Sequence, residues 1–298
     1  MNRVLLIFLI AGSALHAQTA GNTGLAFLKY GFGARNIAMG DAGSVISNDV
    51  TALFYNPANL AFTQGTEFLF MHNEWIQDVH SEVFGAKTEI LGIPFAAGFN
   101  VTTVSDIPVR TKPGHADATF SANYFFGSIS GAYAVTQNLS AGATIKYLYE
   151  GLLDNESTGI GFDLGASYRL NESGLTSAIS VKNLGSMNKL RNEETKLPAE
   201  IRVGVFYPYT LSEMEIDVIT AAEYQKYIST DDNHFNFGAE IKYNNLVALR
   251  GGYQTGWISR GLTAGFGLSW ADLSFDFAYL PFKLGLGNAS LFSLHYKF

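Results

Sequence analysis

The stretch Phe292-Ser293-Leu294-His295-Tyr296-Lys297-Phe298 puts four apolar side chains on one face of an extended chain and Ser293, His295 and Lys297 on the other. Successive side chains of a strand point to opposite faces, so this is a strand with one apolar and one polar face. The rule repeats upstream. Leu273, Phe275, Phe277 and Tyr279 oppose Ser274, Asp276 and Ala278, and Leu262, Ala264, Phe266, Leu268 and Trp270 oppose Thr263, Gly265, Gly267 and Ser269. Val247, Leu249 and Tyr253 alternate with Arg250 and Gln254, while Phe235, Phe237, Ile241 and Tyr243 alternate with Asn236, Glu240 and Lys242. Further back, Ile160, Phe162, Leu164 and Tyr168 oppose Gly161, Asp163 and Arg169, and Leu139, Ala141, Ile145 and Tyr147 oppose Ser140, Thr144 and Lys146.

Alternation of this kind fits two all-β folds, a soluble sandwich and a membrane barrel. Three features favour the barrel. The polar faces are rich in glycine and small residues and carry isolated charges of both signs, which suits a crowded lumen. Aromatic residues recur near strand ends, at Trp270, Tyr279, Tyr243, Tyr253 and Phe298, where a membrane interface holds them. The strongest feature is the connections. From Thr66 onward there are about 14 strand candidates, an even number. Long connections (His72 to Asp78, Ser105 to Thr119, Glu150 to Gly159, Leu184 to Pro198, Tyr227 to Asn233, Thr255 to Ser259, Pro281 to Asn288) alternate with short ones. The short ones are Leu91 to Pro94, Thr136 to Asn138, Asn171 to Gly174, Pro208 to Glu213, Asn244 to Asn245 and Ala271 to Asp272. A transmembrane antiparallel β-barrel has two unequal rims of this sort, with short turns in the periplasm, so both termini are expected to be periplasmic.

Composition removes other classes. No segment after the N-terminal run has the roughly 20 apolar residues of a membrane-spanning helix, although 47% of the chain is hydrophobic. A net charge of -7 without basic clusters excludes a nucleic-acid partner. The chain has no cysteine, hence no disulfide and no cysteine-ligated metal. Asn2 and Arg3 followed by the apolar run Val4 to Ala11 and the smaller residues to Ala17 read as a secretory signal peptide, 1–17. Export of a barrel of this type points to the outer membrane of a diderm bacterium, with outer-membrane lipid as its surroundings.

Residues 18–65 break the alternation. Glycines at 31, 33, 40 and 43 and the turn Asn56-Pro57-Ala58 mark irregular structure that packs inside something, followed by a single barrel domain over 66–298. Here Gly33-Ala34-Arg35, Ala38-Met39-Gly40-Asp41-Ala42, Asn48-Asp49 and Tyr55-Asn56-Pro57-Ala58-Asn59-Leu60-Ala61 together resemble the N-terminal signature of the PorV/PorQ family, which is similar to the wider FadL-like group of outer-membrane proteins. The resemblance implies a 14-stranded barrel with an N-terminal plug or hatch in its lumen. It also implies one of two activities. PorV-like members bind or escort secreted cargo proteins and other components of type IX secretion, and this is the leading expectation; FadL-like members take up hydrophobic small molecules across the outer membrane.

The candidate hatch residues are Gly33, Ala34, Arg35, Met39, Gly40, Asp49, Asn56, Pro57 and Ala58. Arg35 and Asp49 are expected as an ion pair that fixes the hatch. Lys146, Asp163, Arg169, Arg202, Glu240, Lys242, Arg250 and Asp276 are expected to face the lumen and to pair across it. No catalytic, cofactor or metal site is expected. The six histidines lack metal-ligand spacing, and His72 and His80 read as polar residues near a loop. Gly31-Phe32-Gly33-Ala34-Arg35-Asn36 lacks the third glycine of a dinucleotide loop, and there is no Gly-x-Ser-x-Gly elbow.

Overall fold

A computed structural model describes residues 23–170, 173–230 and 232–298. The signal-peptide expectation lies outside these residues. The strands are β1 (Glu67–Glu74), β2 (Val79–Ile90), β3 (Ile93–Val109), β4 (Ala118–Ala134), β5 (Leu139–Leu152), β6 (Asn155–Arg169) and β7 (Thr176–Met187). A short hairpin, β8 (Lys189–Leu190) and β9 (Glu193–Glu194), precedes β10 (Glu200–Leu211), β11 (Ile216–Tyr227), β12 (Asn233–Tyr243), β13 (Val247–Gln254), β14 (Leu262–Trp270), β15 (Leu273–Pro281) and β16 (Asn288–Lys297). All but β8 and β9 form one closed antiparallel barrel of 14 strands, with each strand beside its neighbour in sequence. The ring closes where β1 meets β16, with Phe68 opposite Tyr296 and Phe70 opposite Leu294. Closure leaves no unpaired edge.

The barrel is apolar outside and polar inside. Phe70, Ile145, Leu164, Val205, Ile241, Leu249 and Leu268 are exposed, whereas Ser130, Thr144, Asp163, Arg202, Asn236 and Glu240 on the intervening positions are buried. Water would favour the reverse arrangement; an apolar solvent around the ring favours this one. Among the described residues no helix is long and apolar enough to cross a membrane.

Two expected loops are shorter than the sequence reading gives. Both ends of Ser105 to Thr119 and nearly all of Glu150 to Gly159 continue the ladders of β3 to β6, leaving 110–117 and Leu153-Asp154 as connections. Polar outward residues such as Asn123 and Glu156 broke the apolar alternation there, but hydrogen bonding sustains the strands beyond the apolar belt. Likewise β10 runs through Leu211, past the turn expected to begin at Pro208, and the span from Leu184 to Pro198 holds the end of β7 and the β8/β9 hairpin.

Residues 24–63 pack against inward-facing side chains around the ring. Three short helices, α1 (Ala34–Ala38), α2 (Gly43–Ile46) and α3 (Ala52–Tyr55), contact β13 to β16, then β7, β10 and β11, then β3 and β4. A 3-10 turn, Pro57–Phe62, contacts β3 to β6. Gly24 donates to the carbonyl of Lys196 just before β10, at the rim opposite Phe298. The described part of this segment therefore runs from that far rim to the terminal rim, where β1 begins; an N-terminus on the same side as Phe298 is a matter for residues outside the described ones.

Candidate functional site

Inward glycines explain how the segment fits. A Cβ on Gly252 of β13 would lie 2.6 Å from Gly40 Cα, and one on Gly142 of β5 would lie 2.6 Å from Ala58 N and Pro57 C. Backbone therefore touches backbone. Gly40 itself has φ of +71°, which glycine adopts without strain. Its N–H donates to Thr263 Oγ1 (3.1 Å) and its carbonyl accepts from Gln254 Nε2 (3.3 Å). Met39 is fully buried beside Gly238. Gly33 caps α1 at φ +82° and donates to Met71 Sδ, and Ala34 N donates to Ser293 Oγ at 2.8 Å.

Asn56 holds the last turn. Its Oδ1 accepts from Ala58 N (3.1 Å), and its Nδ2 donates to Ser44 O (3.1 Å) and Ser167 Oγ (3.0 Å), with Pro57 at the first position of the 3-10 helix. A proline there loses no hydrogen bond, because the first N–H groups of a helix lack intrahelical partners.

Arg35 does not pair with Asp49. Its guanidinium grips Glu240 of β12 through Nε (2.9 Å) and Nη2 (3.1 Å) and reaches Ile46 O and Asn48 Oδ1 through Nη1. Burial opposes the charge on Arg35, but Glu240 outweighs it and raises its pKa. Asp49 instead accepts from Thr51 N at 2.7 Å and from the Thr51 hydroxyl. The fork of an arginine matches a carboxylate bidentately, and the Thr51 donors satisfy Asp49 locally.

The lumen charges pair along the wall and with the segment, not across the ring, because the segment fills the centre and adjacent strands are about 4.8 Å apart. Glu240 also binds Arg250, whose Nη1 reaches Asp276 Oδ1 at 2.6 Å. Lys146 binds Asp163 (2.6 Å) and Asn183 Oδ1 (2.9 Å). Lys182 and Asn183 of β7 together face Asp163 in a bulge, which lets Asn183 N donate to Asp163 at 2.8 Å. Arg169 lies over the Phe62 ring at 4.3 Å, and half-buried Lys242 lines a cavity of about 520 Å³ at the terminal rim with Arg35, Asn48, Asp49 and Arg250.

In a third cluster only Arg202 was among the residues expected to face the lumen. Arg202 of β10 binds Asp41, Glu200 and Glu223 at 3.2, 3.2 and 2.8 Å, and Lys182 adds a 2.9 Å contact to Glu200. Ser44 donates to Glu223 through both N and Oγ, and the Tyr55 hydroxyl donates to Asp41. Asp41 lies inside the quoted Ala38 to Ala42 motif; Lys182, Glu200 and Glu223 are isolated polar-face residues that only the topology brings together.

The lumen wall is uneven. Strands β7 and β10 to β13 face inward with charge, while β1 to β5 mix polar inward residues such as Glu67, Lys87, Asn100 and Thr144 with an apolar patch of Leu69, Met71, Val83, Ala96, Phe126 and Leu148. Segment rings pack on that patch: Phe27 beside Tyr124 (5.3 Å), and Phe32 between Phe54 (4.8 Å) and Phe126 (5.6 Å). Leu53 lies against Gly98 of β3. Outside the wall at that level, an apolar hollow of about 620 Å³ opens around Gly127, lined by Gly98, Phe84, Phe99, Phe125, Ile129 and Tyr147 among others.

No family model matches the chain, and no curated protein matches it in sequence. Solved structures do match. The barrel is similar to the toluene transporter TbuX of Ralstonia pickettii, with a TM-score of 0.62 at 15% identity over 90% of this chain and 98% of that one. It is similar to the toluene transporter TodX of Pseudomonas putida, at 0.62 and 16% over 89% and 96%. A FadL homologue of Pseudomonas aeruginosa gives 0.51 and 13% over 89% and 98%. What is shared is the fold. All three cover nearly the full length of both chains, and at these identities the likeness carries no further than architecture.

Proposed function

We propose that the chain is an outer-membrane channel for small apolar molecules, with residues 18–65 acting as a hatch inside a barrel over 66–298 and the terminal rim facing the periplasm. The observation that carries this is the apolar patch on the β1 to β5 side of the lumen, covered by Phe27, Phe32, Phe54 and Leu53 and parted from the outer hollow by the wall at Gly98. A small apolar molecule that displaces these side chains gains an apolar route from the far rim to the membrane interior. The fold it shares with toluene transporters supports the reading.

Escort of secreted proteins, the PorV-type role, keeps only the N-terminal motif in its favour. Arg35, Gly40 and Asn56 of that motif are engaged in contacts between segment and wall. The test is toluene uptake by outer-membrane vesicles carrying the chain. Uptake should exceed that of empty vesicles and fall by about tenfold in Gly127→Trp, which puts an aromatic side chain of about 200 Å² into the hollow. Uptake equal to that of empty vesicles, together with exported proteins recovered on the tagged barrel, would return the escort reading to the front.

A further inference from the structure

Among the described residues two deeply buried cations lack a carboxylate within ion-pair distance: Lys87, whose Nζ donates to the Gly65 carbonyl at 3.2 Å, and Arg260, which has no such donor bond. Arg260, in the connection between β13 and β14 at the far rim, is 8% exposed. Among the described residues it makes no ion pair and no hydrogen bond. Its guanidinium lies over Trp257 at 4.4 Å and over Trp75 at 5.0 Å. Trp75 stacks on Tyr30 (4.7 Å) and meets Phe282 edge-on (5.3 Å). Close by, Lys29 lies over the Tyr227 ring at 4.8 Å. Glu200, whose charge acts on Lys29, is bound by Lys182 and Arg202, and Asp41, whose charge acts on Arg260, is bound by Arg202. Trp257 Nε1 is also buried without an acceptor.

A buried guanidinium without an acceptor is costly, and aromatic faces compensate it only in part. Burial lowers the pKa of Arg260, as an uncompensated cation requires. An anion arriving from the mouth would supply the missing partner. Apolar surroundings favour a single charge over a phosphate's two, the planar fork of arginine matches a carboxylate, and the ring walls match a flat apolar body.

Building on the channel reading, we propose that Arg260, framed by Trp75 and Trp257, binds the carboxylate of a small aromatic acid at the far-rim mouth, with Trp257 Nε1 as a second donor. The preferred passenger is then an aromatic monocarboxylate in place of a plain hydrocarbon.

The site carries its own reporter. Of the three tryptophans only Trp270 lies elsewhere, 81% exposed at the terminal rim, so Trp270→Phe leaves Trp75 and Trp257 as probes. The full chain in detergent is titrated with benzoate, benzyl alcohol and toluene while fluorescence is followed. Benzoate should bind at least about tenfold more tightly than benzyl alcohol, Arg260→Gln should abolish that margin, and Arg260→Lys should keep part of it. Toluene binding should be the same in all three. Equal affinities for benzoate and benzyl alcohol in the chain with Arg260 intact overturn the proposal, whether or not the variants fold. If toluene still binds, the channel reading stands without the carboxylate site; if none of the three binds, both fall.

Discussion

Arg35 shows how one side chain ties the segment to the wall: it joins α1, the Ile46 carbonyl and Asn48 to Glu240, which also holds Arg250. Glu240→Gln removes the shared carboxylate and leaves two buried arginines short of an acceptor. Loss of a buried partner costs about 3 to 5 kcal/mol. The expected outcome is faster amide exchange over residues 34–49 with the strand amides unchanged; unchanged exchange in the segment would contradict the clamp. Asp49 gives a pH dependence. Burial would raise its pKa, but the charge on His295, the Thr51 hydrogen bonds and Arg35 outweigh burial and hold it below the ordinary 3.8. A depressed carboxyl contributes stability that is complete above the unfolded value and is lost as pH falls through the folded one. Protection of the Thr51 amide should therefore be flat from neutral pH down to about 4 and should fall below it, a decline that Asp49→Asn abolishes.

At the scale of elements, the inward glycines are part of the interface between the segment and the strands. Gly252→Val would drive a side chain into the Gly40 backbone, which cannot yield as a flexible side chain could. The strand ladder at β12 to β14 stays intact. The predicted result is a segment cut by added protease while the circular dichroism of the sheet is unchanged; protease resistance equal to the parent would mean that the close approach is not needed. The strands themselves were readable because lipid-facing and lumen-facing residues alternate, as Phe292 to Phe298 displays. Loop lengths were less so. Where β4 to β6 rise beyond the apolar belt their outward residues turn polar, and period-two patterning cannot tell an extended polar hairpin from a loop. Arg35 and Asn56 could be picked out from local motifs, but their partners Glu240 and Ser167 lie more than a hundred residues away, so only barrel closure discloses the pairing. Arg260, Trp75 and Trp257 gave no sequence signal, since each sits in a connection and they meet only at the rim.

At the scale of the molecule, the barrel is a polar-lined ring whose apolar sector is occupied by its own chain. Passage of an apolar molecule then requires the segment to move, and the segment is held by two ionic clusters and several backbone contacts. Arg202 anchors the most crowded of these, two cations among three carboxylates. Arg202→Leu should release α2 and raise basal leakage of small solutes through reconstituted barrels, whereas a barrel as tight as the parent would mean that the cluster is not what holds the segment in place.

The most direct test of required movement uses the absence of cysteine. A Cβ on Gly204 of β10 would stand 3.3 Å from Val45 Cβ on α2, close to the roughly 3.5 to 4.5 Å of a disulfide. In a Val45→Cys, Gly204→Cys chain the segment can be bolted to the wall by oxidation and freed by reduction, with no native thiol to interfere. Toluene uptake by vesicles is then measured in both states. Uptake that stops on oxidation and returns on reduction is the predicted result; equal uptake in both states would contradict a hatch that moves to let its passenger through.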